Sequence, residues 1–222
     1  MSVADALAGV RERIRAAARA AGRDPGDITL VAVTKTVPLD RIRDALGAGE
    51  LDLGENRAQE LLDKAEALRP TFPELRWHFI GRLQRNKVRS LAPHVALWQS
   101  VDRGPLAAEI ARHAPGARVL VQVNVAREAR KGGCAPEDVP GLLAECRALG
   151  LDVAGLMTIP PLEGDPTPVF AGLRRLTDES GLATCSMGMS GDFERAIAAG
   201  STMVRVGSAI FGPRPAGPDA RR

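Results

Sequence analysis

Ile28-Thr-Leu-Val-Ala-Val-Thr-Lys35 is an almost unbroken run of apolar and β-branched residues that ends on a lysine. It is too short for an ordinary helix, and Asp24-Pro-Gly-Asp27 ahead of it is a turn by composition, so it reads as a strand buried on both faces. Similar short runs follow at Leu51–Leu53, Arg76–Ile80, Val95–Trp98, Arg118–Val125, Leu151–Met157, Leu182–Cys185 and Thr202–Val206. Helical spacing fills the gaps, at Leu39–Gly47, Asn56–Leu68, Gln84–Leu91, Pro105–His113, Pro136–Leu149, Thr167–Ser180 and Asp192–Ala199. Strand and helix therefore alternate, which argues for an α/β fold with a parallel sheet and right-handed crossovers. Eight such strands argue for closure into a single (β/α)8 TIM barrel over an open doubly wound sheet.

At 222 residues the chain fits one barrel domain, within the roughly 200 to 250 that such barrels use. Ahead of the first strand, Val3, Leu7, Val10 and Ile14 recur at helical spacing, with Arg11, Arg15 and Arg19 on another face. This reads as an extra N-terminal amphipathic helix with a solvated basic side. The barrel is expected to occupy residues 1–213, and the Pro- and Gly-rich tail 214–222 is expected to be disordered.

Lys and Arg number 30 against 27 Asp and Glu, a net charge of +3, and the aromatics are two Trp and five Phe. No aromatics interleave with the Arg row, so no nucleic-acid partner is expected. Cys134, Cys146 and Cys185 form no CxxC pair, which points to neither a disulfide framework nor a zinc site and fits a reducing cytoplasm. Met1-Ser-Val-Ala-Asp5 lacks the basic and apolar regions of an export signal. No run approaches the roughly 18 apolar residues of a membrane helix, so a cytoplasmic protein without a membrane partner is expected.

In a barrel of this type the working residues cluster at the C-terminal strand ends. Lys35 stands at the first of these. There desolvation lowers an ammonium pKa, and a partly neutral lysine attacks an aldehyde or ketone. Equally, the same residue reads as a lysine that ends the strand by snorkelling to solvent. Ser186-Met-Gly-Met-Ser-Gly-Asp192 and Val206-Gly-Ser-Ala-Ile-Phe-Gly212 follow the seventh and eighth strands. Their small residues let backbone N–H groups approach an anion, Ser190 and Ser208 add hydroxyls, and Asp192 is placed to cap the next helix. Arg205 lies inside the eighth strand, facing either the barrel interior or the helices, and both faces of such a strand are covered. Asn56, His78 and Asn124 are further candidates, although Asn56 equally reads as a helix cap and His78 as a satisfied core histidine.

Leu30-Val-Ala-Val-Thr-Lys-Thr36, Leu53-Gly-Glu-Asn56, Trp77-His-Phe-Ile-Gly81, Leu83-Gln-Arg-Asn-Lys87, Gly155-Leu-Met157, Met187-Gly-Met-Ser190 and Gly200–Gly212 together resemble the pyridoxal phosphate homeostasis proteins, from about residue 3 to 213. The resemblance implies the barrel of the alanine racemase N-terminal domain, without that enzyme's second domain, and pyridoxal 5'-phosphate held as a Schiff base on Lys35. It also implies phosphate binding by Ser190, Gly191, Gly207 and Ser208, Arg205 facing the pyridine nitrogen, and Asn56 beside the ring. His78 is carried over with a contact that need not be direct. Arg85 and Ser208 depart from the expected serine and threonine, and neither touches the cofactor assignment.

An arginine facing the ring nitrogen leaves that nitrogen unprotonated and weakens the electron sink. Racemases of the resembled fold add a tyrosine as second acid–base group, and this chain has no tyrosine. Cys185 is the one well-placed thiol for that role. The expectation is a binding protein that buffers or delivers pyridoxal phosphate, with PLP-dependent apo-enzymes as partners and no robust turnover. A weak amino-acid racemase is the alternative, and a lysine aldolase using Glu55 a more distant one. Absence of the racemase second domain removes a dimer surface, so a monomer is expected.

Overall fold

The computed structural model describes residues 1–129 and 131–213; the tail expected at 214–222 lies outside the described residues. Eight parallel strands close in sequence order into a barrel: β1 (Thr29–Val33), β2 (Asp52–Glu55), β3 (Arg76–Phe79), β4 (Val95–Val101), β5 (Arg118–Gln122), β6 (Asp152–Met157), β7 (Thr184–Ser186) and β8 (Met203–Val206). The helices that alternate with them are α2 (Leu39–Gly47), α3 (Ala58–Leu68), α4 (Arg85–Leu91), α5 (Gly104–His113), α6 (Val139–Ala148), α7 (Thr167–Glu179) and α8 (Phe193–Ala198), preceded by α1 (Val3–Ala20) and followed by α9 (Ser208–Phe211). This is the TIM barrel with an N-terminal helix that the alternation predicts.

Two apolar layers hold it. The larger fills the shell between sheet and helices and includes Leu7, Ala32, Leu53, Phe79, Trp98, Phe170, Cys185 and Val204. Inside the barrel Val31, Leu97, Leu120, Met157 and Met203 form a second cluster. Period-two alternation along each strand sorts residues between the layers. Met203 belongs to the inner cluster and Val204 and Val206 to the outer, so Arg205 points into the barrel. The same count from Val31 through Val33 carries Lys35 to the inner face.

Several boundaries differ from the sequence reading. β1 stops at Val33, and Lys35 lies in the turn beyond it, where Thr36 takes φ 62°. β2 and β4 run further than their apolar cores, through Gly54-Glu55 and Gln99-Ser100-Val101. Asn56 precedes α3, whose N-cap is Arg57, so it is no helix cap. Asp192 is the N-cap residue of α8 but makes no side-chain capping bond; its carboxylate accepts from Met189 N–H instead.

α1 begins with a capping box between Ser2 and Asp5 and packs on α8, α9 and α2. Of its arginines, Arg11 donates to Ala48 O and Glu50, Arg13 pairs with Glu194 and Arg15 with Glu12. Among the described residues no helix is long and apolar enough to cross a membrane.

Candidate functional site

A cavity of about 730 Å³ opens at the C-terminal end of the barrel, in the size range of cofactor and small-molecule sites. Lys35, Asn56, Ser190, Gly191, Arg205, Gly207 and Ser208 all contribute to its wall. His78 does not.

The turn that presents Lys35 is held from below. Buried Lys64 of α3 donates to Thr34 O at 2.8 Å and to Glu55 Oε1 at 2.6 Å, and Glu60 accepts from Thr36 N–H at 2.8 Å. Thr34 Oγ1 donates to the same Glu55 oxygen at 2.7 Å. Burial pushes the Glu55 carboxyl up, against the pull of Lys64 and Thr34. Glu55 is thus spent on the scaffold and does not line the cavity. Opposite the turn, Gly81 lets the end of β3 lie on the Asn56 backbone: a Cβ there would sit 2.1 Å from Asn56 O. Asn56 Oδ1 is buried with no hydrogen-bond partner among the described residues.

The seventh and eighth loops are joined by Ser190, whose Oγ accepts from Gly207 N–H at 3.1 Å and Ala209 N–H at 3.3 Å. Gly191 has open space where a Cβ would be, whereas at Gly207 a Cβ would stand 3.2 Å from Val33 O. The result is a cradle of small residues and N–H groups at the start of α9, a setting suited to an anion.

Arg205 is 4% exposed. Its Nη1 donates to Ser186 Oγ at 2.6 Å and its Nη2 to Thr158 O at 2.7 Å. Burial lowers its pKa to about 10, so it stays charged at neutral pH. A guanidinium carries five N–H donors, and Arg205 forms no ion pair among the described residues. It is a buried cation facing a cavity with donors to spare.

His78 is buried one layer deeper. Its Nε2 lies 3.0 Å from Asp52 Oδ1 and its Nδ1 2.8 Å from Gln99 Nε2. Cys185 faces away from the cavity, fully buried beside Met187 Sδ at 3.8 Å, and burial pushes its thiol up to about 11. Asp40, exposed in the first turn of α2, is the one carboxylate on the described cavity wall. Asn124 clamps its own loop through Glu128.

The alanine racemase N-terminal domain model matches residues 6–215. A Pseudomonas aeruginosa pyridoxal phosphate homeostasis protein is 44% identical, with 99% of each chain covered. The chain belongs to the pyridoxal phosphate homeostasis protein family. Among solved structures, PipY of Synechococcus elongatus PCC7942 with PLP bound matches at a TM-score of 0.82 and 33% identity, covering 95% of this chain and 100% of that one. Alanine racemase from Corynebacterium glutamicum shares the fold at a TM-score of 0.70 and 17% identity, with 96% of this chain on 62% of that one.

The family's barrel here rests on polar residues that sequence reasoning passed over: Lys64, Glu60, Gln99 and Ser186. The available signal was the buried polar side chain itself. Gln99 and Ser186 sit in strands with both faces covered, where an unpaired polar group costs too much to be casual.

Asp52, which closes this interior set, also binds Arg76 through both oxygens at 2.7 and 2.6 Å. Burial opposes its charge, but hydrogen bonds from Arg76 and His78 prevail and bring the carboxyl down from 3.8 to about 2. A depressed carboxyl contributes stability that is present above the unfolded value and lost as pH falls through the folded one. Acid titration of folding should therefore lose about 2 kcal/mol from this residue between roughly pH 4 and 2. Asp52→Asn should flatten the profile there, and equal slopes in the two proteins would refute the assignment.

Proposed function

We propose that this protein holds pyridoxal 5'-phosphate as a Schiff base on Lys35 and buffers or hands on the cofactor, without robust turnover of its own. The observation that carries the reading is the buried Arg205 guanidinium, whose spare donors face a cavity walled by Lys35 and ended by the Ser190–Gly207 cradle. A buried cation with no ion pair and N–H groups left without an acceptor is costly. A ring nitrogen is an acceptor of the right kind, a phosphate suits the cradle, and an aldehyde suits the lysine. The family's name and the cofactor bound by PipY support the same group.

Once bound, pyridoxal phosphate supplies an electrophilic carbon and an electron sink. The residues of this chain favour retention over use of that chemistry. Ser190, Gly191, Gly207 and Ser208 would take the phosphate, and Asn56 would offer its orphaned Oδ1 beside the ring. Arg205 donates without accepting, which keeps the ring nitrogen unprotonated and the sink weak.

A second acid–base group is the missing part. The chain has no tyrosine, Cys185 is turned away and held protonated, and Glu55 is clamped by Lys64 and Thr34. The lysine-aldolase alternative loses its acid with Glu55. We read the working unit as a cytoplasmic monomer that meets apo-enzymes in need of cofactor.

The visible absorbance of the purified protein mixed with pyridoxal phosphate, followed by borohydride reduction and peptide mapping, tests the central claim. Label on the peptide that carries Lys35 is expected; a colourless, unlabelled protein would sink it. For turnover, racemisation near 1 per second or faster on any amino acid, within the ordinary range of enzymes, would replace the carrier reading with the racemase one.

A further inference from the structure

Asp52, His78, Gln99, Ser186 and Arg205 come from five different strands yet join into one hydrogen-bonded chain through the barrel interior. The links measure 3.0 Å from Asp52 to His78, 2.8 Å from His78 to Gln99, 2.7 Å from Gln99 to Ser186 and 2.6 Å from Ser186 to Arg205. His78, Gln99, Ser186 and Arg205 are each buried, at 4%, 0%, 0% and 4% exposure. Only Arg205 reaches the cavity wall.

The proton order along the chain is forced from both ends. A guanidinium can only donate, so Ser186 Oγ accepts from Arg205 and must send its own O–H to Gln99. The receiving atom is then the amide oxygen, Oε1, which leaves the amide N–H₂ facing His78 Nδ1. That nitrogen must accept, so the imidazole proton sits on Nε2 and points at Asp52. From the far end, an ionised carboxylate only accepts, which calls for the same proton on Nε2. Every hydroxyl rotor, amide orientation and ring tautomer between the two charges, otherwise free to be assigned either way, is thereby set.

We propose that this chain is a positioning relay: Asp52, His78, Gln99 and Ser186 hold the Arg205 guanidinium in one orientation and direct its remaining N–H bonds into the cavity. The inference rests on the cofactor reading above. It assigns His78, expected at the cofactor, a place three links behind Arg205. The relay also puts its negative end at Asp52, at the far end of the hydrogen-bonded chain from Arg205 and making no ion pair with it, so the guanidinium keeps its full donor character where the cavity needs it. A carboxylate directly against Arg205 would instead have taken two of its N–H groups.

Gln99→Leu cuts the relay in the middle with little change of volume and removes no residue from the cavity wall. In the full chain loaded with pyridoxal phosphate, cofactor affinity should fall about tenfold, the lower end of what one hydrogen bond to a charged group supplies. The pH midpoint of the visible band should move by about one unit, while borohydride still labels the Lys35 peptide.

Ser186→Ala should reproduce both changes, and Ser186→Thr, which keeps the hydroxyl, should restore both to within roughly twofold of the unsubstituted protein. If Gln99→Leu does not fold, the Ser186 pair decides alone. Unchanged affinity and midpoint in the variants, with a normal band in the parent, would overturn the relay and leave the cofactor reading standing. Equal losses in Ser186→Ala and Ser186→Thr would overturn it as well, because packing and not proton order would then be at work. A parent protein without a visible band would sink the cofactor reading itself.

Discussion

Lys35→Ala is expected to abolish the Schiff-base band and the borohydride-stable label altogether, while leaving the protein folded. The residue lies in a turn, partly exposed, and its neighbours tie that turn to the scaffold: Lys64 to Thr34 O, Glu60 to Thr36 N–H. Those ties do not pass through the Lys35 side chain and survive its removal. The removal also leaves Arg205, Asn56 and the Ser190–Gly207 cradle, so pyridoxal phosphate should still bind through noncovalent contacts. Loss of the covalent bond should weaken retention at least about a hundredfold, roughly 3 kcal/mol. Lys35→Arg keeps the charge and cannot form the bond, and should match the alanine variant in colour. Equilibrium dialysis with the absorbance spectrum reads both quantities. A band that persists in Lys35→Ala, or label mapped to Lys64 or Lys131, would move the chemistry elsewhere. Neither lysine is set up for it: Lys64 Nζ is buried among Thr34 O, Glu55 and Glu60, and Lys131 Nζ is held by Pro160 O and Glu128.

The barrel was readable because its signal is redundant. Strands buried on both faces appear as short apolar runs, and each helix between them shows its own period. What escaped were places where a polar residue is inside. β4 reads as ending at Trp98 because Gln99 and Ser100 look like loop, yet both are buried. β2 reads as ending at Leu53 because Gly54-Glu55 has no strand character, and Glu55 is admitted by Lys64 arriving from α3 and by the Thr34 hydroxyl. Partners distant in sequence supply the reason Gln99 and Glu55 are tolerated, and a linear pattern holds no trace of them.

The site followed the same division. Lys35 and the two Gly- and Ser-bearing loops could be nominated from strand-end position, since that is where this architecture puts its chemistry. Whether Arg205 faced inward could not, because both directions are covered. It took Met203 on the inner layer and Val204 and Val206 on the outer to settle it. Cys185 failed for the same geometric reason: one residue before inward-facing Ser186, it points the other way.

Gly155 shows that a motif can carry a resemblance without disclosing its cause, and it supports the second large prediction. β5 and β6 pair Val119 with Val153 and then Leu120 with Gly155, so Ala154 is an extra residue on β6. Such a bulge re-aims the following side chain. A Cβ built on Gly155 stands 1.8 Å from the Thr184 carbonyl oxygen of β7 and 2.6 Å from its carbon. These are backbone atoms of the very residue Gly155 pairs with, so relief requires β6 and β7 to separate, and a closed barrel has no free edge to absorb that movement. Gly155→Ala, adding one methyl group, should therefore cost on the order of 5 kcal/mol, a large share of the roughly 5 to 15 that holds a domain together. The melting temperature should drop by at least about 10 °C. Gly141→Ala is the matched control: it lies in α6 with nothing within 4 Å of a built Cβ, and should stabilise by about 0.5 to 1 kcal/mol through helix propensity alone. Thermal unfolding of the two variants beside the parent separates a glycine required by contact from one that is merely tolerated. A Gly155→Ala protein melting with the parent would mean that β6 and β7 can part without opening the barrel.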